Sequence, residues 1–254
     1  MLRHHRYGWR PDLPDRRDHV RLCLRRGAIG LPDSIDLRAQ MPPVYDQGAL
    51  GSCTGNAIAA AIEYVRRREG LADFTPSRLF IYYNERAIEG TIGIDAGAEI
   101  RDGIKSVARL GACSEGDWPY DIAKFAQQPP AACYADARTD LVTRYARVPQ
   151  TLDSVRDCLA AGLPVIFGFT VYESFESDAV AASGVLPLPG PHEKVLGGHA
   201  VLAVGYDDAK EMLTVRNSWG PSWGDAGYFR MPYAYAMDEN LADDFWQIET
   251  VAAA

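Results

Sequence analysis

Gln47-Gly48-Ala49-Leu50-Gly51-Ser52-Cys53-Thr54-Gly55-Asn56 puts a cysteine where a glycine-punctuated turn gives way to a helical pattern. Beyond it, Ala57, Ile58, Ala60, Ala61, Ile62, Tyr64 and Val65 place apolar side chains on several faces, and Arg66, Arg67 and Arg68 follow. That pattern predicts a largely buried helix with a cationic C-terminal end. Cys53 then stands at the helix N-terminus, where unpaired backbone N–H groups and the positive end of the dipole favour an anion. A thiol so placed is expected to ionise more easily than an ordinary one, and the thiolate is the nucleophile.

Working outward, Leu31 to Arg38 and Met41 to Tyr45 read as extended chain, because Pro32, Pro42 and Pro43 disfavour helix. After the cysteine helix, Ser77-Arg78-Leu79-Phe80-Ile81-Tyr82-Tyr83 is helical, with Thr75 as cap, Pro76 in the first turn and an end before Gly90. The turn-rich run 90–97 leads into a helix over 99–110, with Ile100, Ile104, Val107 and Ala108 on its buried face and Gly111 as its stop. Trp118-Pro119-Tyr120 and Gln127-Gln128-Pro129-Pro130 mark an irregular crossing. From about residue 141 the texture changes: strands are expected over 142–148, 164–170, 199–207, 212–217, 227–231 and 245–250, interrupted by one short helix over 152–161. The chain therefore predicts an α+β fold, a helical half at about 46–140 and a β half at about 141–250, with a cleft between them.

A 254-residue chain with 47% hydrophobic residues carries a sizeable core. No apolar run is long enough to span a membrane and the N-terminus has no signal-peptide core, so the expected location is cytoplasmic or reached by leaderless export. Five cysteines without a Cys-x-x-Cys pair argue against a disulfide framework and a zinc ribbon, and no metal or cofactor is expected. The net charge of −8 is unevenly spread. Residues 1–30 hold eight Arg against three Asp, +5, which leaves −13 on the rest. Residues 1–33 read as a basic, proline-broken extended arm, either a mobile tail or a segment docked on the acidic body through Tyr7, Trp9 and Leu13. No basic surface with interleaved aromatics continues beyond the arm, so nucleic acid is not an expected partner.

A cysteine nucleophile needs a base, and the base needs a third group to orient it. His199, in Gly197-Gly198-His199-Ala200-Val201, and Asn217, in Asn217-Ser218-Trp219-Gly220-Pro221-Ser222-Trp223-Gly224, are the candidates. A turn at 207–210 would pair their strands and bring the two together. Glycines at 197 and 198 would let a ligand or another backbone come close.

The three blocks in this order, Gln47 to Cys53, Gly198 to Val201 and Asn217 to Gly224, resemble the papain family of cysteine peptidases, and the separations from Cys53 agree. The resemblance covers about 34–254 and implies a papain-like two-part fold, a helical half facing an antiparallel β-barrel-like half. It implies Cys53 as nucleophile, His199 as general acid and base, Asn217 as the residue orienting the imidazole, Gln47 as oxyanion donor and Trp219 as a cover over the Asn–His pair. Gly97 and Ala98 fall where the family binds extended substrate antiparallel to its own backbone, and Glu99, Gly168 and Gly197 line the neighbouring pocket. Glu99 reads more simply as a carboxylate placed for the helix dipole. The implied activity is that of a monomeric cysteine endopeptidase acting on proteins or peptides. The alternatives are an acyl-transfer enzyme, such as a transamidase or aminopeptidase, or a non-catalytic peptide-binding protein.

Departures stand out too. Thr54 replaces the aromatic residue that usually follows the nucleophile, Leu50 replaces a disulfide cysteine, and Gly198 stands where papain has a carboxylate. The arm is much shorter than the family's usual prosegment, and its charge against the acidic body suggests a pro-like or regulatory cover. Cys113, Cys133 and Cys158 read as buried thiols, Cys23 as an exposed one, His4, His5, His19 and His192 as surface residues, and Trp223 and Trp246 as packing residues.

Overall fold

The cysteine helix is the central piece. In the computed structural model, which describes residues 6–21 and 30–252, α1 runs Cys53–Arg68 and is buried from Cys53 to Arg66. A helix apolar on all sides belongs inside a core. Its small residues let neighbours approach: a Cβ on Gly55 would stand 2.9 Å from the Arg78 carbonyl oxygen of the next helix. At the far end the Arg66 guanidinium donates to the Ala72 carbonyl at 2.8 Å and pairs with Asp140.

Three more helices complete this side: α2 Arg78–Glu89, α3 Ile100–Leu110 and α4 Ala131–Ala137. The cap of α2 is Ser77, not Thr75. The Ser77 hydroxyl accepts from the Phe80 N–H at 3.1 Å, while Pro76 stays outside the helix in a bridge with Ser114. Gly90 closes α2 at φ 71°. α3 begins one residue later than its sequence pattern, with Glu99 extended in the cap position and making no side-chain cap bond.

The other side is an antiparallel sheet: β1 Ser34–Asp36, β2 Val142–Arg147, β3 Val165–Tyr172, β4 Val195–Asp207, β5 Met212–Arg216, β6 Tyr228–Pro232 and β7 Ala242–Val251, in the order β2-β7-β3-β4-β5-β6. β1 pairs with Gly205 to Asp207 of β4, along the edge that β3 leaves after Ala203. The sheet does not close into a barrel: β2 and β6 end the order and do not pair with each other. The expected helix appears as α5 Leu152–Ala160, joined by two shorter ones, α6 Asp178–Ser183 and α7 Tyr233–Ala236. Both lie in connections that the alternating strand pattern hides.

α1 packs on β4, β7 and β3, so its N-terminus meets the strand that carries His199. Phe167 stacks on Phe245 with centroids 4.9 Å apart, and Phe175 packs on Trp219 and Trp223 at 5.0 and 5.2 Å. Leu50 is buried in a second cluster with Leu79, Phe80 and Trp118, so apolar packing fills the place of the missing disulfide cysteine. Cys113, Cys133 and Cys158 are buried. Cys23, His4 and His5 lie outside the described residues. Among the described residues no helix is long and apolar enough to cross a membrane.

Candidate active site

Cys53 is the first residue of α1 and fully buried. The turn before it is held by Asn56, whose amide donates to the Ser52 carbonyl at 2.9 Å and to its hydroxyl at 3.0 Å. The Ala200 N–H lies against the sulfur, so the preceding residue, His199, is brought to the same spot. Burial pushes the thiol up to about 11, against the pull of the N–H groups of Ala200, Gly8 and Thr54. The sequence alone predicts the opposite direction. The difference is desolvation, which here outweighs the helix terminus.

His199 Nε2 and Asn217 Oδ1 are 2.8 Å apart. The same Asn217 oxygen accepts the Ser218 N–H at 2.8 Å, which fixes it as an acceptor and makes Nε2 the protonated ring nitrogen. In the neutral ring Nδ1 then carries the lone pair. Trp219, 1% exposed, lies with its ring 5.2 Å from the imidazole at 31°, and Phe169 stands edge-on at 5.8 Å. Few waters can compete for the Asn–His bond inside that aromatic wall.

The Gln47 amide is held at both its oxygen and its nitrogen. Its Oε1 accepts from the Ser218 hydroxyl at 2.6 Å, which turns Nε2 toward the Leu50 and Arg6 carbonyls at 2.9 and 3.1 Å. The Gln47 backbone is tied to Ser218 O at 2.8 Å, so the loop before α1 and the segment after β5 hold each other.

Residues 6–10 run along this site. Gly8 O accepts from the Ala98 N–H at 2.7 Å, Arg10 N donates to Ala98 O at 3.1 Å, and Trp9 N donates to Gly198 O at 2.9 Å. The Trp9–Ala98 bridge is parallel. Trp9, 7% exposed, lies on Gly168 and Gly198: a Cβ on Gly168 would stand 1.9 Å from the indole. Tyr7 packs edge-on to His199 at 6.1 Å and bonds Glu176. Gly97, Ala98, Gly168, Gly197 and Gly198 thus face the same stretch of chain. Glu99 differs: its N–H donates to Glu89 at 2.7 Å, at the start of α3. Leu13 is 77% exposed and anchors nothing, in contrast to the sequence expectation.

Two features escape sequence reasoning. Asp244, buried in β7 at φ 58°, accepts from the Trp9 indole at 3.0 Å and the Asp12 N–H at 2.7 Å. The only signal for it is a pair of acids at the head of an apolar strand. Glu85 is buried under α1 and accepts a hydrogen bond from the hydroxyl of Thr54, the residue standing where an aromatic is usual. Burial pushes the Glu85 carboxyl up to about 8.

The sequence profile of the papain family of cysteine proteases matches residues 31–245. An uncharacterised peptidase C1-like protein of Acanthamoeba polyphaga mimivirus is 46% identical over 215 residues, 81% of this chain and 69% of that protein. A cathepsin B-like protein of Giardia intestinalis is 31% identical over 232 residues, 83% of this chain and 73% of its own length. Among solved structures, xylellain, a cysteine protease from Xylella fastidiosa, is 45% identical with a TM-score of 0.90, covering 96% of each chain.

Proposed function

The chain belongs to the papain family of cysteine proteases, and on that premise we propose that it is an endopeptidase whose nucleophile is Cys53. The observation that carries this is the His199–Asn217 bond of 2.8 Å, set beside a cysteine at a helix start. His199 takes the thiol proton, the sulfur attacks a peptide carbonyl, and the oxygen that becomes negative is received by Gln47 Nε2 and the Cys53 N–H. The imidazolium then protonates the leaving amine. The imidazole, neutral again, takes a proton from the water that hydrolyses the thioester and returns it to the departing Cys53 sulfur. An epoxide-type thiol reagent is expected to label the native chain at Cys53 and to lose that product in Cys53→Ala; equal labelling of both would sink the assignment.

Within the same reading, residues 1–33 are a cover and 34–254 the catalytic domain. Arg6 O sits at the Gln47 amide, Gly8 N–H at the sulfur, and the backbone of residues 8–10 on Ala98. Its parallel pairing runs opposite to the antiparallel docking expected of substrate. The cover therefore presents its peptide bonds in the wrong direction for cleavage. Trp9 is the large hydrophobic side chain that residues 6–21 bury in the core, and losing such a side chain costs about 3–5 kcal/mol. Trp9→Ala in the full chain should raise peptidase activity by about a hundredfold or more if the cover limits access. Unchanged kcat/KM would remove the cover from the account.

A further inference from the structure

Three residues past Trp9, the chain buries an acid. The Asp12 side chain is fully enclosed. One carboxylate oxygen accepts from Trp246 Nε1 at 3.0 Å and from Arg147 Nη1 at 3.2 Å; the other accepts from the Arg101 backbone N–H at 3.2 Å. The Arg101 guanidinium, 3.9 Å away, is held by Asp18 at 2.8 Å, and Arg147 is also tied to Asp244 at 2.8 Å.

Three donors from three elements, α3, β2 and β7, thus converge on one carboxylate, and two of them are neutral groups fixed in the fold. Trp246 is itself fully buried. Packing alone does not call for an indole N–H turned into a groove, since a buried donor left without an acceptor is costly. The convergence suits an anion, and bonds to an ionised acceptor are the stronger kind. The basic residues that pair with the body's acids make shallower contacts: Arg6 and Arg10 are 62% and 41% exposed where they pair with Asp95 and Glu89, and Arg21 is 17% exposed where it reaches Asp157 and Glu249 at 3.3 and 3.4 Å.

We propose that Trp246, Arg147 and the Arg101 N–H form a carboxylate-binding subsite, filled from within by Asp12, that takes an acidic side chain of any extended peptide lying in the groove beyond the Trp9 position. Its regulatory consequence rests on the reading of residues 1–33 as a cover: the cover is latched by an acid in a basic pocket, not by its own positive charge. Once the cover is out, a segment with a carboxylate at the matching place competes for the pocket.

The test uses the full chain and reads the rate at which iodoacetamide alkylates Cys53, followed by mass spectrometry of the Cys53 peptide. Asp12→Ala and the same-shaped Asp12→Asn should both label at least tenfold faster than wild type, while Leu13→Ala, on the exposed neighbour, should not change the rate. Adding a synthetic peptide of residues 6–18 to the Asp12→Ala chain should restore slow labelling, and the same peptide carrying Asp12→Ala should not at equal concentration. Asp12 variants as slow as wild type, or two peptides that protect equally, would overturn the subsite. Wild type labelling as fast as Trp9→Ala would instead overturn the cover, and the paired peptides, compared by direct binding to the same chain, would still decide the subsite.

Discussion

Cys53→Ser should lower kcat/KM on a peptide substrate by about four to six orders of magnitude, the scale seen when a covalent nucleophile is removed. The substitution is nearly isosteric at a fully buried position, so the fold should survive it, which a thermal melt will check. A hydroxyl is a far weaker acid than a thiol, so in the proposed mechanism the imidazole would have to activate an alcohol where it now draws a proton from a thiol. His199→Ala should cost as much, and the double variant no more than either alone, because groups acting on one proton transfer are not additive. Asn217→Ala should cost less, since the imidazole keeps its aromatic wall of Trp219 and Phe169 while losing the bond that fixes its tautomer. These variants are best compared in a Trp9→Ala background, where access to the site is not the limiting step. A Cys53→Ser enzyme within tenfold of its parent would end the nucleophile assignment.

Much of this site is readable from the sequence because its parts are local. A glycine-rich turn before an all-round apolar pattern gives α1 with Cys53 first, and an alternating run after paired glycines gives β4 with His199 near its start. What the sequence leaves out depends on partners distant along the chain. Thr75, Pro76 and Ser77 all suit a helix start, and only the Phe80 N–H decides for Ser77. Strand patterns say nothing of whether the end strands β2 and β6 meet, and they do not. The helix-terminus argument for Cys53 is sound for an open cleft, yet it cannot see Gly8 lying on the sulfur. Charge totals misled in a similar way. The +5 arm and −13 body suggest one kind of attraction, whereas the deepest contacts are Asp12 and Asp18 of the arm against Arg101 and Arg147 of the body. Net charge describes a long-range field; burial selects individual pairs.

Those buried acids set the second large effect, in which acid tightens the cover instead of releasing it. Asp244 is faced by the Trp9 indole N–H, the Asp12 N–H and carboxylate, Asp243 and Arg147. Burial first, then the charge of Asp12, pushes its carboxyl up to about 7. Asp12, held by Trp246, Arg147 and the Arg101 N–H, supplies the neighbouring charge, and the proton at issue is the one on Asp244. When residues 6–21 leave, Asp244 loses both the burial and the charge of Asp12. The covered form therefore holds more protons than the open form at every pH between the ordinary carboxylate range and about 7. By linkage, covering strengthens as pH falls through 7 and weakens as it rises beyond. For one proton with that midpoint, the fraction open should grow about tenfold from pH 6 to pH 8. The ratio of Cys53 alkylation rates in wild type and Trp9→Ala measures that fraction at each pH, because the ionisation of the thiol in the open form cancels. The ratio should rise with pH, and Asp244→Asn should flatten it. A ratio that rises toward acid would mean that the carboxylates are ionised throughout and that the contacts of Arg6 and Arg10 with Asp95 and Glu89 govern the cover instead.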